Sequence, residues 1–120
     1  MIAVMLPAVQ PDHLAPMVRL VTDSVTSPHS RRAYDRALRS YLTWHSATGQ
    51  AAFCRASVQG YRTHLEGLGN RPPSINQALS AIRKLASEAA EAGLLDEGTV
   101  ASIQRLKGPV QRGTRAGQWL

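Results

Sequence analysis

The 120-residue chain has one cysteine, one phenylalanine and few aromatics of any kind, 5% in all. A lone thiol, Cys54, makes no internal disulfide, so the chain suits a reducing compartment, and a cytoplasmic protein is the expectation. Cys54 itself reads as a small buried or helix-start residue. His13, His29, His45 and His64 do not fall at metal-ligand spacing with it, so neither a zinc site nor any other cofactor is expected. Long apolar runs are missing too. The opening MIAVMLPAVQP lacks a basic leading segment and is broken at Pro7 and Pro11, well short of the ~20 residues a membrane span requires. No G-x-x-x-x-G-K-[ST] or G-x-G-x-x-G loop occurs, and no small-molecule substrate is expected. Acidic residues are scarce as well, 8 against 14 Lys plus Arg, which leaves a formal charge of +6. With nearly all the cations arginine, nucleic acid is the first partner to consider and an anionic membrane surface the second.

Residues that alternate with period two are also rare, whereas apolar residues recur at three and four, so the chain reads as all-helical. A first helix is expected from about Pro11 to Val25, with Asp12 as its cap and Leu14, Met17, Val18 and Val21 on one side. The second begins at Ser27, an N-cap residue, with Pro28 in the first helical position. Its inward face carries Tyr34, Leu38, Tyr41, Leu42 and His45, and Thr48 with Gly49 stops it. The third, in RASVQGYRTHLEGLGN, has a stripe of Val58, Tyr61, Leu65 and Leu68 and ends at Gly69 and Asn70. The fourth, in RPPSINQALSAIRKLASEAAEAG, tolerates Pro72 and Pro73 only in its first turn. Ile75, Leu79, Ile82, Ala86 and Ala89 point inward and Gly93 ends it. The last, DEGTVASIQRLKG, has acids at its positive end, Lys107 at its negative end and Val100, Ile103 and Leu106 inward. Gly108 and Pro109 close the helical unit.

The stretch SPHSRRAYDRALRSYLTWH, Ser27 to His45, holds the main functional question. His29 and Arg32 have the His-x-x-Arg spacing of some DNA-rejoining sites, but the first turn of a helix fixes no nucleophile beside them. Tyr34, Tyr41 and Tyr61 lie on apolar stripes and read as core residues rather than attacking phenols. Trp44 beside its stripe reads as packing before it reads as a stacking platform. Projected at about 100° per residue, Arg32, Arg36, Arg39 and Thr43 instead form one cationic ridge opposite the apolar face. The fourth helix repeats the pattern with Asn76, Ser80, Arg83, Lys84 and Ser87. Both helices start with hydroxyl or basic residues, Ser30 and Arg31 in one and Arg71 and Ser74 in the other, where free backbone N–H groups favour phosphate.

The segments SPHSRRAYDRALRSYLTWH, RASVQGYRTHLEGLGNRPPSINQALSAIRKLASEAAEAGLL and IQRLKG together resemble the core-binding, SAM-like domain of the tyrosine recombinase or phage integrase family. The resemblance runs from about Ser27 to Gly108 and continues weakly through RAGQWL. It implies a bundle of four to five helices that clamps one side of duplex DNA while a separate C-terminal domain clamps the other. That second domain carries the family's catalytic Arg, Lys, His-x-x-Arg and nucleophilic Tyr, so no catalytic residue is expected here, and HSRR falls in a DNA-contacting helix.

The expected organisation is an N-terminal arm with a short helix over 1–26, a helical DNA-binding domain over 27–108, and a linker over 109–120 toward an absent catalytic domain. The expected partners are double-stranded DNA and other recombinase protomers assembled on it. Arg31, Arg32, Arg36, Arg83 and Lys84 are assigned to phosphates and Asn76 and Gln77 to base edges, with Ser30, Ser74 and Ser80 alongside. Arg39 has Asp35 as an alternative partner and Arg71 has solvent. Two rivals stand beside this reading: a stand-alone regulator occupying recombination sites, and a helical protein-interaction domain indifferent to DNA.

Overall fold

A computed structural model describes residues 11–49 and 52–110, with side chains from Leu14 onward. The side chain of Asp12, expected as a cap, and the tail beyond Val110, including Trp119 and Leu120, lie outside what is described. Every regular element in the described chain is helical: α1 (Pro11–Asp23), α2 (Pro28–Ala47), α3 (Arg55–Gly67), α4 (Pro72–Glu91) and α5 (Glu97–Gln104).

The local code for these helices is visible at their ends. Ser27 caps α2 by accepting the Ser30 N–H at 3.4 Å, with Pro28 supplying a fixed φ just inside. Asp96 caps α5 through the Thr99 N–H at 3.1 Å and the Thr99 hydroxyl at 2.6 Å, and these two bonds hold its carboxyl below the usual range. Helices α3 and α4 close with the same motif. Gly69 (φ 85°) and Gly93 (φ 76°) turn left-handed, and the next N–H reaches back to Leu65 O at 3.1 Å and to Ala89 O at 2.8 Å.

Helix α4 is the centre of the bundle and touches each of the other four. Its buried side alternates Ile75, Leu79, Ile82 and Leu85 with Ala78, Ala81, Ala86 and Ala89. The alanines let neighbouring helices come close, and each branched side chain fully withdrawn from water contributes roughly 1.5–3 kcal/mol. Helix α1 lays Leu14, Val18 and Val21 onto α2 and α4, so the helix assigned to an N-terminal arm is packed into the same core.

A layer of rings fills the space between α2 and α3. Tyr41 meets Tyr61 edge-on at 5.2 Å between centroids, Phe53 at 5.9 Å and His45 at 5.6 Å. The Tyr41 hydroxyl and Ser57 Oγ share a hydrogen bond of 2.7 Å, and burial pushes the phenol above the usual tyrosine range. The Ala52 carbonyl, 3.0 Å from His45 Nε2, only accepts, so it fixes the proton on that nitrogen. His45 Nδ1 has no partner among the described residues.

Two details depart from the sequence reading. Leu68, placed on the inward stripe of α3, is 66% exposed, because the helix ends at Gly67 and the turn at Gly69 carries Leu68 out of register. Phe53, in the turn before α3 and outside any helical period, is part of the core.

Candidate nucleic-acid interface

The outer side of α2 follows from its inner side. Burying Ala33, Leu38, Tyr41, Leu42 and His45 leaves Arg31, Arg32, Arg36, Arg39 and Thr43 exposed. Ser30 is half-buried, and its N–H faces the cap. Arg31 folds back, its Nε donating to the Val25 carbonyl at 2.6 Å, and so ties the start of α2 to the preceding turn. Arg39 donates from Nε to both oxygens of Asp35, at 2.9 and 3.0 Å, as the four-residue spacing favours. The other ion pairs among the described residues, Arg19–Asp23 and Arg62–Glu66, leave Arg32 and Arg36 outside any pair. These two stand one turn apart on an open ridge.

The polar stripe of α4 has a different surrounding. Arg83 donates to the Leu106 carbonyl, Asn76 Nδ2 donates to the Pro109 carbonyl at 3.0 Å, and Ser87 Oγ accepts from Gln104 Nε2 at 3.2 Å. Gln104 also donates to the Arg83 carbonyl at 3.0 Å, and Ser80 between them is half-buried. From α3, Arg62 Nη1 donates to the Lys107 carbonyl at 2.7 Å and Arg55 Nη1 to the Ser102 carbonyl at 3.1 Å. The end of α5 and the segment leaving it therefore lie along the stripe formed by Asn76, Ser80, Arg83 and Ser87. Gly108 sits against the Asn76 carboxamide so closely that a Cβ there would overlap Asn76 Oδ1.

The site residues read from the sequence thus divide into two groups. Arg32, Arg36, Ser74, Gln77 and Lys84 are exposed, and Arg31 keeps an exposed guanidinium beyond its Nε bond. The polar groups of Asn76 and Arg83 are engaged by the chain's own carbonyls. Sequence periodicity places a residue on a helix face but does not say what lies on that face, and the partners of Asn76 and Arg83 are 33 and 23 residues downstream. Arg55 and Arg62 were missed for the same reason: each looks like an ordinary surface cation within its own helix.

Replacing Arg83 by alanine leaves the Leu106 carbonyl without its charged donor. It should lower stability by about 1.5–3 kcal/mol, the range for a hydrogen bond to a charged group. The salt dependence of duplex binding should stay as in the parent, because this half-buried guanidinium is held at Nη2 by the Leu106 carbonyl. Urea denaturation and DNA titration of one variant separate the two effects.

The phenols are not placed for attack. Tyr41 and Tyr61 are buried, and burial raises both above the usual tyrosine range; for Tyr61 a bond to Ser40 offsets part of the rise. Tyr34 is half-buried against the core. Among the described residues no three His, Cys, Asp or Glu side chains gather as a metal site, and no helix is long and apolar enough to cross a membrane.

No curated protein and no solved structure matches the chain. A family does: residues 19–93, from within α1 to the glycine that ends α4, match the phage integrase N-terminal SAM-like domain. A match over more than half of the sequence, on a chain whose described residues fold as five helices around α4, makes this chain a member of that family, a recombinase-related DNA-binding domain.

Proposed function

We propose that the chain is the DNA-binding module of a site-specific tyrosine recombinase and holds one side of duplex core-site DNA, with strand cleavage supplied by a separate catalytic domain. The observation that carries this reading is the α2 ridge. Arg32 and Arg36 project into solvent from a helix whose opposite face is fully committed to the core. Two guanidinium groups one turn apart on a packed helix suit a phosphate backbone, which sets position and orientation without reading sequence. Lys84 and the free end of Arg31 are assigned further phosphates, and Ser30 and Ser74 stand at the starts of α2 and α4. Gln77, exposed on the first half of α4, is the base-edge candidate because a carboxamide pairs with adenine. Asn76 and Arg83 act from behind this surface by holding the exit segment. Other protomers bound to the same site are the expected protein partners.

The test is a titration of the chain with duplex DNA at several salt concentrations. Neutralising about four or five phosphates costs roughly 10²–10³-fold in affinity between 50 and 200 mM salt. Binding that ignores salt, or no binding at low salt, would reject this reading and favour a protein-interaction domain.

A further inference from the structure

Beside the ridge, α2 and α3 enclose an open groove of about 610 Å³ lined by Asp35, Arg36, Arg39, Ser40, Thr43, Trp44, Ala47 and His64. Its aromatic wall is made of two rings from different helices. Trp44 and His64 lie 5.8 Å apart between centroids and are inclined by only 30°. His64 is in turn stacked against Tyr61 at 5.9 Å and 27°, so the wall is braced from the core. Trp44 is seated over Gly60, where an added Cβ would come within 3.2 Å of the indole. The remaining lining residues near the rings are small, Ser40, Thr43 and Ala47, which leaves the wall accessible to a flat ligand. At the other end stand Arg36 and Arg39, with Asp35 already bound to Arg39. Arg36 is the cation left to meet an external charge.

We propose that this groove binds an unpaired nucleotide of a DNA strand, its base stacked on the Trp44–His64 wall and its phosphate beside Arg36. An aromatic wall and a cation in one groove are the two elements of single-strand recognition: a stacking platform for the base and a charge for the backbone. A paired duplex does not use the wall, because its base faces are covered by their neighbours. Arg36 belongs to both surfaces. From Arg36 to Trp44 the helix rises about 12 Å at 1.5 Å per residue, so a base leaving a duplex seated on the ridge has the wall within reach. The inference rests on the DNA-binding reading above and adds a second substrate form to it.

The experiment uses the full chain carrying Trp119→Phe, so that Trp44 is the sole indole. It is titrated with a ten-residue oligothymidylate, a paired duplex, and the same duplex with one unpaired thymidine. The oligothymidylate and the bulged duplex should quench Trp44 emission, while the paired duplex binds without quenching. His64→Ala, at an exposed position, should weaken oligothymidylate binding about 5–150-fold, the range for losing one stacked base, and His64→Phe should restore it. Paired-duplex affinity should be the same in all three proteins. Unchanged emission with the oligothymidylate, equal quenching by the paired duplex, or an unaffected His64→Ala would each overturn the proposal. If the paired duplex still binds with steep salt dependence while these fail, only the groove assignment falls. If no DNA binds at low salt, the duplex reading falls with it.

Discussion

The double variant Arg32→Ala/Arg36→Ala should bind duplex DNA about 10–100-fold more weakly than the parent near 0.1 M salt, with the slope of log affinity against log salt reduced by about two. The argument is one of counting. Each guanidinium that meets a phosphate releases close to one condensed counterion, and both side chains are exposed, outside the ion pairs of the described residues and one helical turn apart. Their removal uncovers no buried partner, so the melting temperature should be nearly unchanged. The loss should also be equal on every duplex sequence, since phosphate contacts carry no base information. Isotherms at four salt concentrations on two unrelated duplexes measure slope and uniformity together. A slope like that of the parent would move the DNA surface off α2. The contrast with Arg83→Ala is the stronger for it: arginines given the same role from the sequence should separate into a binding defect without instability on α2 and instability without a change of slope on α4.

The second large effect is on the fold. Leu79→Ala should cost about 2–5 kcal/mol, the range for truncating a fully buried leucine, against a total stability of about 5–15 kcal/mol for a domain of this kind. Leu79 lies at the middle of the α4 stripe and is 1% exposed. It also approaches Gly108, so the lost atoms include a contact with the exit segment as well as with the core. Urea denaturation should show the midpoint falling at constant m-value. The fraction that remains folded should bind DNA with the parental salt slope.

Much of this architecture is readable because each helix carries its own punctuation. Ser27 with Pro28, Gly49, Gly69 and Gly93 mark ends that depend on backbone geometry alone, and the stripes of α2 and α4 repeat without interruption, so Leu38, Tyr41, Ile82 and Ala89 are found inside as expected. The reading fails where the cause is not local. Leu68 continues the apolar spacing of α3 past the residue at which the helix stops. Phe53 has no helical period to announce it. Arg83 and Asn76 have the same spacing as true surface residues, and only the return of residues 104–109 across α4 gives them partners. Asp35 and Arg39 mark the opposite case, where a spacing of four within one helix made the pair legible in advance.

The central position of α4 also sets an order of events during synthesis. Helix α1 ends at Asp23, but one of the surfaces its leucine and valines rest on is complete only at Glu91, 68 residues later. At ribosomal rates of about 5–20 residues per second that is a wait of roughly 3–14 s. Until then α1 has only α2 to cover Leu14, Val18 and Val21. The arrival of α4 therefore supplies the face that α1, α2 and α3 share, and a nascent chain halted at Gly69 has α1 and α3 resting on α2 alone.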